Sequence, residues 1–289
     1  MGVYKSVLNT PVRNSLLSDD WRKSLNIACD LFLNASKEEL LDFLEASDVI
    51  TYIIQHCNEH AFGVFLNRMK YYNISINYYI NGELTLLHKA VLLGNVHIVE
   101  YLIRNGANTM LPIRNHTLFA SCTMMHLAAQ VGNIQIMRSL FQKSKLNEYD
   151  KFGFTPLHYA VKNGHLDCVQ YLVQQGARIN KPVQKSNNEY GVFTPIELSI
   201  LFNRMQIFEC LIKKGAKLVS TSKPFLIFIH NVKKNQDCGA AKILIENKCT
   251  FDLLIAYLAT IGDNKSTKIE GSISTEQIIS EQYQHCIQH

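Results

Sequence analysis

The side chains best suited to chemistry in this chain are its histidines and cysteines, and two short strings concentrate them. His56-Cys57-Asn58-Glu59-His60 and His285-Cys286-Ile287-Gln288-His289 share the pattern H-C-x-x-H. Imidazole and thiolate are good zinc ligands, and two such clusters together would complete a tetrahedral site. The spacing matches no standard zinc pattern, and the second string stands at the end of a polar tail, so no metal and no cofactor is expected. A thiol nucleophile is the other option, with Cys29 or Cys57 as nucleophile and His56 or His60 as base. Activation needs a nearby base and a third group to orient it. No Gly-rich nucleophile loop surrounds either cysteine. No catalytic residue is assigned, and the chain is not expected to be an enzyme. A cysteine enzyme in the N-terminal region is the alternative to be tested.

A third set of histidines recurs at regular intervals. His88, His126 and His158 each stand three residues after a threonine, at Thr85, Thr123 and Thr155. They are too far apart along the chain to share one ion, and a buried imidazole needs hydrogen-bond partners of its own. A structural role is therefore expected. A fourth threonine, Thr194, is followed instead by Glu197, which is left open between a satisfied and a functional carboxylate.

The elements that position these groups are repeats. Segments 83–108, 121–147, 150–180 and 191–218 align, with Thr85, Thr123, Thr155 and Thr194 equivalent. In the third, DKFGFTPLHYAVKNGHLDCVQYLVQQGARIN, Thr155 is a good helix N-cap and Pro156 suits the first helical position. Leu157 and Ala160 then face inward, Gly164 turns the chain, and Val169, Leu172 and Val173 form the apolar stripe of a second helix. One helix pair cannot bury both of its faces, so neighbouring pairs must stack.

These four segments resemble the ankyrin repeat, the third matching its T-P-L-H-x-A…G-H…V-x-x-L…G-A pattern almost throughout. The resemblance implies an all-α solenoid with β-hairpin fingertips and helical caps at both ends. The expected organisation is a helical N-terminal cap with a worn repeat over 1–80, four repeats over 81–218, a degenerate repeat and cap helix over 219–261, and a polar, partly disordered tail over 262–289. Spacings above the usual repeat length of about 33 place extra residues at two fingertips, 109–120 and 181–190. The resemblance also implies that the recurring histidines bond the backbone of the adjoining turn.

Composition narrows the function classes further. Hydrophobic residues make up 47% and charged residues 18%, enough for a sizeable core and too apolar for whole-chain disorder. No apolar stretch approaches the roughly 20 residues that span a bilayer. The first residues lack the apolar core of a secretory signal. Eight scattered cysteines without a C-x-x-C pair read as reduced thiols, which agrees with a cytoplasmic site. Ile, Asn and Lys outnumber Ala, Gly, Pro and Arg by 73 to 44, the mark of an AT-rich genome. Charge is polarised: residues 37–60 carry a net −5 and residues 201–250 a net +6. The basic region makes a nucleic-acid or anionic-surface binder a further alternative, although nucleic acid is not expected as the main partner.

The resemblance finally implies a function. Inner helices and fingertips of such a stack line a concave groove that binds a partner protein, as an adaptor or scaffold without catalysis. The positions just before each short-helix turn are Leu92 and Leu93, Gln130 and Val131, Lys162 and Asn163, and Leu201 and Phe202. Fingertip positions are Phe119, Phe152, Phe154, Tyr190 and Phe193. Contact roles are expected for Phe119, Phe152, Tyr190 and Phe202, since exposed aromatics are typical anchors. Phe154 and Phe193 are open between contact and packing. A monomer is expected. Ankyrin-repeat proteins of AT-rich genomes look like effectors of intracellular bacteria or poxvirus-like host-range factors. Such a protein would reach the host cell without a signal peptide and act on host proteins.

Overall fold

The computed structural model describes residues 29–30, 32–114, 121–141, 146–183 and 193–218. Two compact units divide them, residues 29–177 in the first, and 178–183 with 193–218 in the second. The first unit is helical: α1 (Lys37–Glu45), α2 (Ser47–His56), α3 (Glu59–Tyr71), α4 (Leu86–Leu92), α5 (Val96–Arg104), α6 (Met124–Val131), α7 (Ile134–Ser139), α8 (Pro156–Asn163) and α9 (Leu166–Gln174). The second contains α10 (Pro195–Leu201) and α11 (Met205–Lys213).

Most of these helices are short, so isolated they would be marginal, and packing must hold them. In the first unit α4 packs on α6 and α6 on α8, forming an inner row that α2 enters from the N-terminal side. Likewise α3, α5, α7 and α9 form an outer row. The seam between pairs is tied at the turns. Asn95 Nδ2 donates to the Ile54 carbonyl (2.6 Å), Asn133 Nδ2 to Gly94 (3.3 Å), and Asn163 Nδ2 to Gln130 (3.3 Å). His165 adds Nε2 to the same Gln130 carbonyl at 2.9 Å.

The apolar stripes supply the core. Leu86, Leu87, Ala90 and Val91 of α4 are buried, as are Leu127–Ala129 of α6 and Leu157, Ala160 and Val161 of α8. Each large side chain removed from water contributes about 1.5–3 kcal/mol. At the N-terminal end Phe32, Phe43, Phe62 and Phe65 cluster, with Phe32 and Phe65 centroids 5.0 Å apart. Gly63 lies inside α3, where glycine costs helix stability. It stands there because Tyr101 Oη approaches so closely that a Cβ would sit 2.6 Å from it.

Of the expected β-hairpin fingertips, residues 115–120 and 184–192 lie outside the described residues, and the rest form no regular strand. Among the described residues they hold one isolated antiparallel bridge, Ile80 with Leu84, and single cross-loop bonds such as Asp150 N–H to Phe154 O (2.9 Å). In the second unit Val183 N–H donates to Phe193 O at 2.7 Å. At the third tip a side chain replaces the ladder: Asp150 Oδ1 accepts the N–H groups of Phe152 (2.9 Å) and Phe154 (2.8 Å). No described helix is long and apolar enough to cross a membrane. The expected degenerate repeat and cap helix, 219–261, and the tail, 262–289, lie outside the described residues.

Candidate partner-binding face

The recurring histidines are built into the helix starts. Thr85 N–H donates to His88 Nδ1 at 3.1 Å and the Thr85 hydroxyl lies 2.8 Å from the same nitrogen. A backbone N–H can only donate, so Nδ1 is the acceptor and the proton sits on Nε2. That nitrogen donates to Leu111 O at 3.1 Å, across to the next turn. His126 repeats the arrangement on Thr123 and reaches Phe154 O at 3.1 Å. His158 takes the Thr155 N–H at 3.0 Å. Burial in apolar surroundings pushes the His88 pKa down to about 4, and that of His126 down as well. These imidazoles are neutral, buried fixtures.

Glu197 answers the open question at the fourth position. Its Oε2 accepts both the Thr194 N–H and hydroxyl at 2.8 Å, a carboxylate capping box. Unlike histidine, a carboxylate has no N–H to donate to the turn beyond.

A second buried polar group sits under the third tip. Besides its two backbone bonds, Asp150 accepts the Tyr159 hydroxyl on Oδ2 at 2.7 Å, with Cys122 Sγ at 3.7 Å. Desolvation raises the Cys122 thiol to about 12 and drives the Tyr159 hydroxyl up too. The cluster is fully engaged and structural.

The N-terminal cysteines do not resemble a nucleophile. Cys57 is buried and desolvation pushes its thiol up to about 12; Cys29 is shifted upward for the same reason. A nucleophile needs the opposite shift. His56 and His60 are exposed, and His56 stacks on Tyr52 with centroids 4.4 Å apart. No group of three His, Cys, Asp or Glu side chains gathers for a metal among the described residues, and the string 285–289 lies outside them.

The predicted contact positions fall as follows. Leu92 and Leu93, Gln130 and Val131, and Lys162 and Asn163 are all half-buried at the C-terminal ends of α4, α6 and α8. Successive inner helices thus bring these three pairs into a row. Two members are partly committed to the seam: Val131 packs over Gly94, and Asn163 donates to Gln130 O. Lys162 holds its ammonium 5.8 Å from the Phe154 ring. Phe152 is half-buried with Lys151 Nζ 5.5 Å from its ring. Phe154 is a packing residue, 5% exposed and set edge-on to His158 at 6.0 Å. In the second unit Leu201 is 44% exposed, while Phe202 and Phe193 are half-buried. Phe119 and Tyr190 lie outside the described residues.

The row of helix pairs, capped by Thr-x-x-His and tied turn to turn, is matched by sequence comparison. The family described as Ankyrin repeats matches three times, over residues 45–150, 87–183 and 125–222. The chain belongs to this family. Ankyrin repeats are in general protein–protein interaction domains. Similar proteins are varied. Alpha-latrocrustotoxin-Lt1a of Latrodectus tredecimguttatus is 39% identical over 98 residues, 33% of this chain and 6% of that one. The nuclear factor NF-kappa-B p105 subunit of Rattus norvegicus is 36% identical over 106 residues, 35% of this chain and 10% of its own. An ankyrin repeat protein of Fowlpox virus is 29% identical over 163 residues, 55% of this chain and 46% of its own. The chain spans less than half the length of each of these relatives.

One feature of the ankyrin fingertips escaped the sequence reading. Arg114 and Tyr79 stack, the guanidinium carbon 3.8 Å from the ring centre. They lie on neighbouring tips, 35 residues apart in a region of irregular spacing, so no local pattern links them.

Proposed function

We propose that this chain is an adaptor that binds a protein partner along the C-terminal ends of α4, α6 and α8 and the third fingertip. The observation that supports this most is the register of Leu92 and Leu93, Gln130, and Lys162 on one rigid, cross-tied row, half-exposed and outside the core. A preorganised surface loses little entropy on binding, which favours recognition over loose adhesion. Phe152 adds an aromatic beside Lys151 and Lys162. Leu201 and Phe202 supply comparable surface on the second unit.

The test is the variant Gln130→Lys/Phe152→Ala/Lys162→Glu. It should retain wild-type helical circular dichroism yet lose a partner that the wild type captures from eukaryotic cell lysate. That partner, once identified and purified, should bind the wild type directly. Equal direct binding by the variant would refute the assignment.

The setting proposed is a host cell entered by the producing organism, where the chain acts on host proteins. The excess of residues with AT-rich codons and the likeness to a viral ankyrin repeat protein support that reading. A partner found only among the producer's own proteins would overturn it.

A further inference from the structure

The Arg114–Tyr79 stack has a geometry that suits a ligand of defined chemistry. Tyr79 is fixed at its far end, where the hydroxyl donates to Pro112 O at 2.9 Å. Arg114 is fixed at its backbone, where the N–H donates to Glu83 O at 3.0 Å. Asn108 N–H donates to Asn77 Oδ1 at 2.8 Å, so the two tip segments are joined at three points. The guanidinium is exposed, and among the described residues its N–H donors meet no acceptor. Met110 stands 43% exposed on the same tip, an apolar side chain with no core to fill.

We propose that Arg114, held over the Tyr79 ring, docks a carboxylate of an acidic segment on a protein partner, while Met110 receives an adjoining apolar side chain. Stacking fixes the plane of a long side chain that would otherwise lose rotamer freedom on binding. It leaves the edge of the fork open, and that edge matches a carboxylate in bidentate fashion. Tyr, Arg and Met are also the types enriched where proteins meet. The ligand proposed is a carboxylate because Arg114 is the cation that the described residues set on this ring, and one guanidinium fork pairs with one carboxylate. The proposal rests on the protein-binding reading above and names the chemistry that one fingertip contributes to it.

The test uses the full chain and fluorescein-labelled peptides of alternating Glu and Leu, with Gln–Leu and phosphoserine–Leu counterparts. The Glu–Leu peptide should bind, more weakly as salt rises. Arg114→Gln and Arg114→Lys should each weaken it at least tenfold, since lysine restores charge but not the fork. Tyr79→Leu should do the same, and Met110→Ala should give a smaller loss. The Arg114 Nε–Hε resonance, identified by its disappearance in Arg114→Lys, should shift on titration. Any of four results would overturn the proposal: no binding of the Glu–Leu peptide, equal binding of Gln–Leu, tighter binding of phosphoserine–Leu, or wild-type affinity in Arg114→Gln. A partner lost only by the Gln130/Phe152/Lys162 variant would leave the adaptor reading standing and remove the Arg114 dock. A peptide bound through Arg114 without any protein partner would do the reverse.

Discussion

At the scale of single residues, the imidazoles link stability to pH. His88 must be neutral to accept at Nδ1, and its folded pKa of about 4 lies below the ordinary value near 6.5. A depressed histidine stabilises fully above the unfolded value, and the contribution is lost as pH falls towards the folded one. The window is therefore pH 6.5 down to 4, and the loss from His88 alone is about 3 kcal/mol. Urea unfolding at pH 7 and pH 4.5 should show a marked drop, and His88→Gln should flatten the dependence at the cost of a lower plateau at pH 7. Asp150 is a separate case. Replacing it with Asn leaves one oxygen where two served, and turns an NH2 towards a cluster of donors. Asp150→Asn should cost about 2–3 kcal/mol, and Tyr159→Phe about 1 kcal/mol, by the same measurement. The histidine roles were legible because they recur in register. Asp150 was not, since its worth comes from burial beneath a tip and no spacing announces that.

At the scale of elements, helix starts were readable and turn interiors were not. Thr155-Pro156 and Thr194-Pro195 place a cap and a proline where the helices begin, so α8 and α10 start where chemistry requires. The described parts of the tips hold single cross-loop bonds, and at the third tip the Asp150 side chain adds to them, a role no turn sequence announces. The turn between α6 and α7 shows how tightly such a corner is made. Gly132 has φ +81°, and a Cβ there would collide with the His165 ring. Gly132→Ala should cost about 2 kcal/mol, combining left-handed strain with the displaced imidazole. Asn203 fills the corresponding corner of the second unit at φ +53°. Asn203→Gly should stabilise by up to about 1 kcal/mol, since glycine enters that region without strain. Differential scanning calorimetry of both variants checks the opposite signs.

At the scale of the molecule, the sequence places the helix-end positions in a row, but not which of them the seam between pairs engages. Val131 and Asn163 carry seam contacts, and Phe154 is wedged among rings, because neighbouring pairs use the same helix ends to hold one another. The half-buried placement of Leu92, Gln130 and Lys162 at the helix ends follows from repeat register alone. Stability in such an array is a sum over nearest neighbours. Hydrogen exchange should therefore be slowest in α4 and α6, which have a pair on either side within the first unit, and faster in α1. Uniform protection across the first unit would contradict nearest-neighbour stability.

The turn-to-turn ties run in both directions. His88 and His126 give protons forward to the following tip, while Asn95, Asn133 and Asn163 give theirs back to the preceding turn. Fastened so, the first unit has no single latch. Tethered at both ends and pulled, it should yield in successive small rips, each freeing roughly 100 Å of slack, the extended length of about 33 residues. Relaxed again, it should rewind from whichever pair survived.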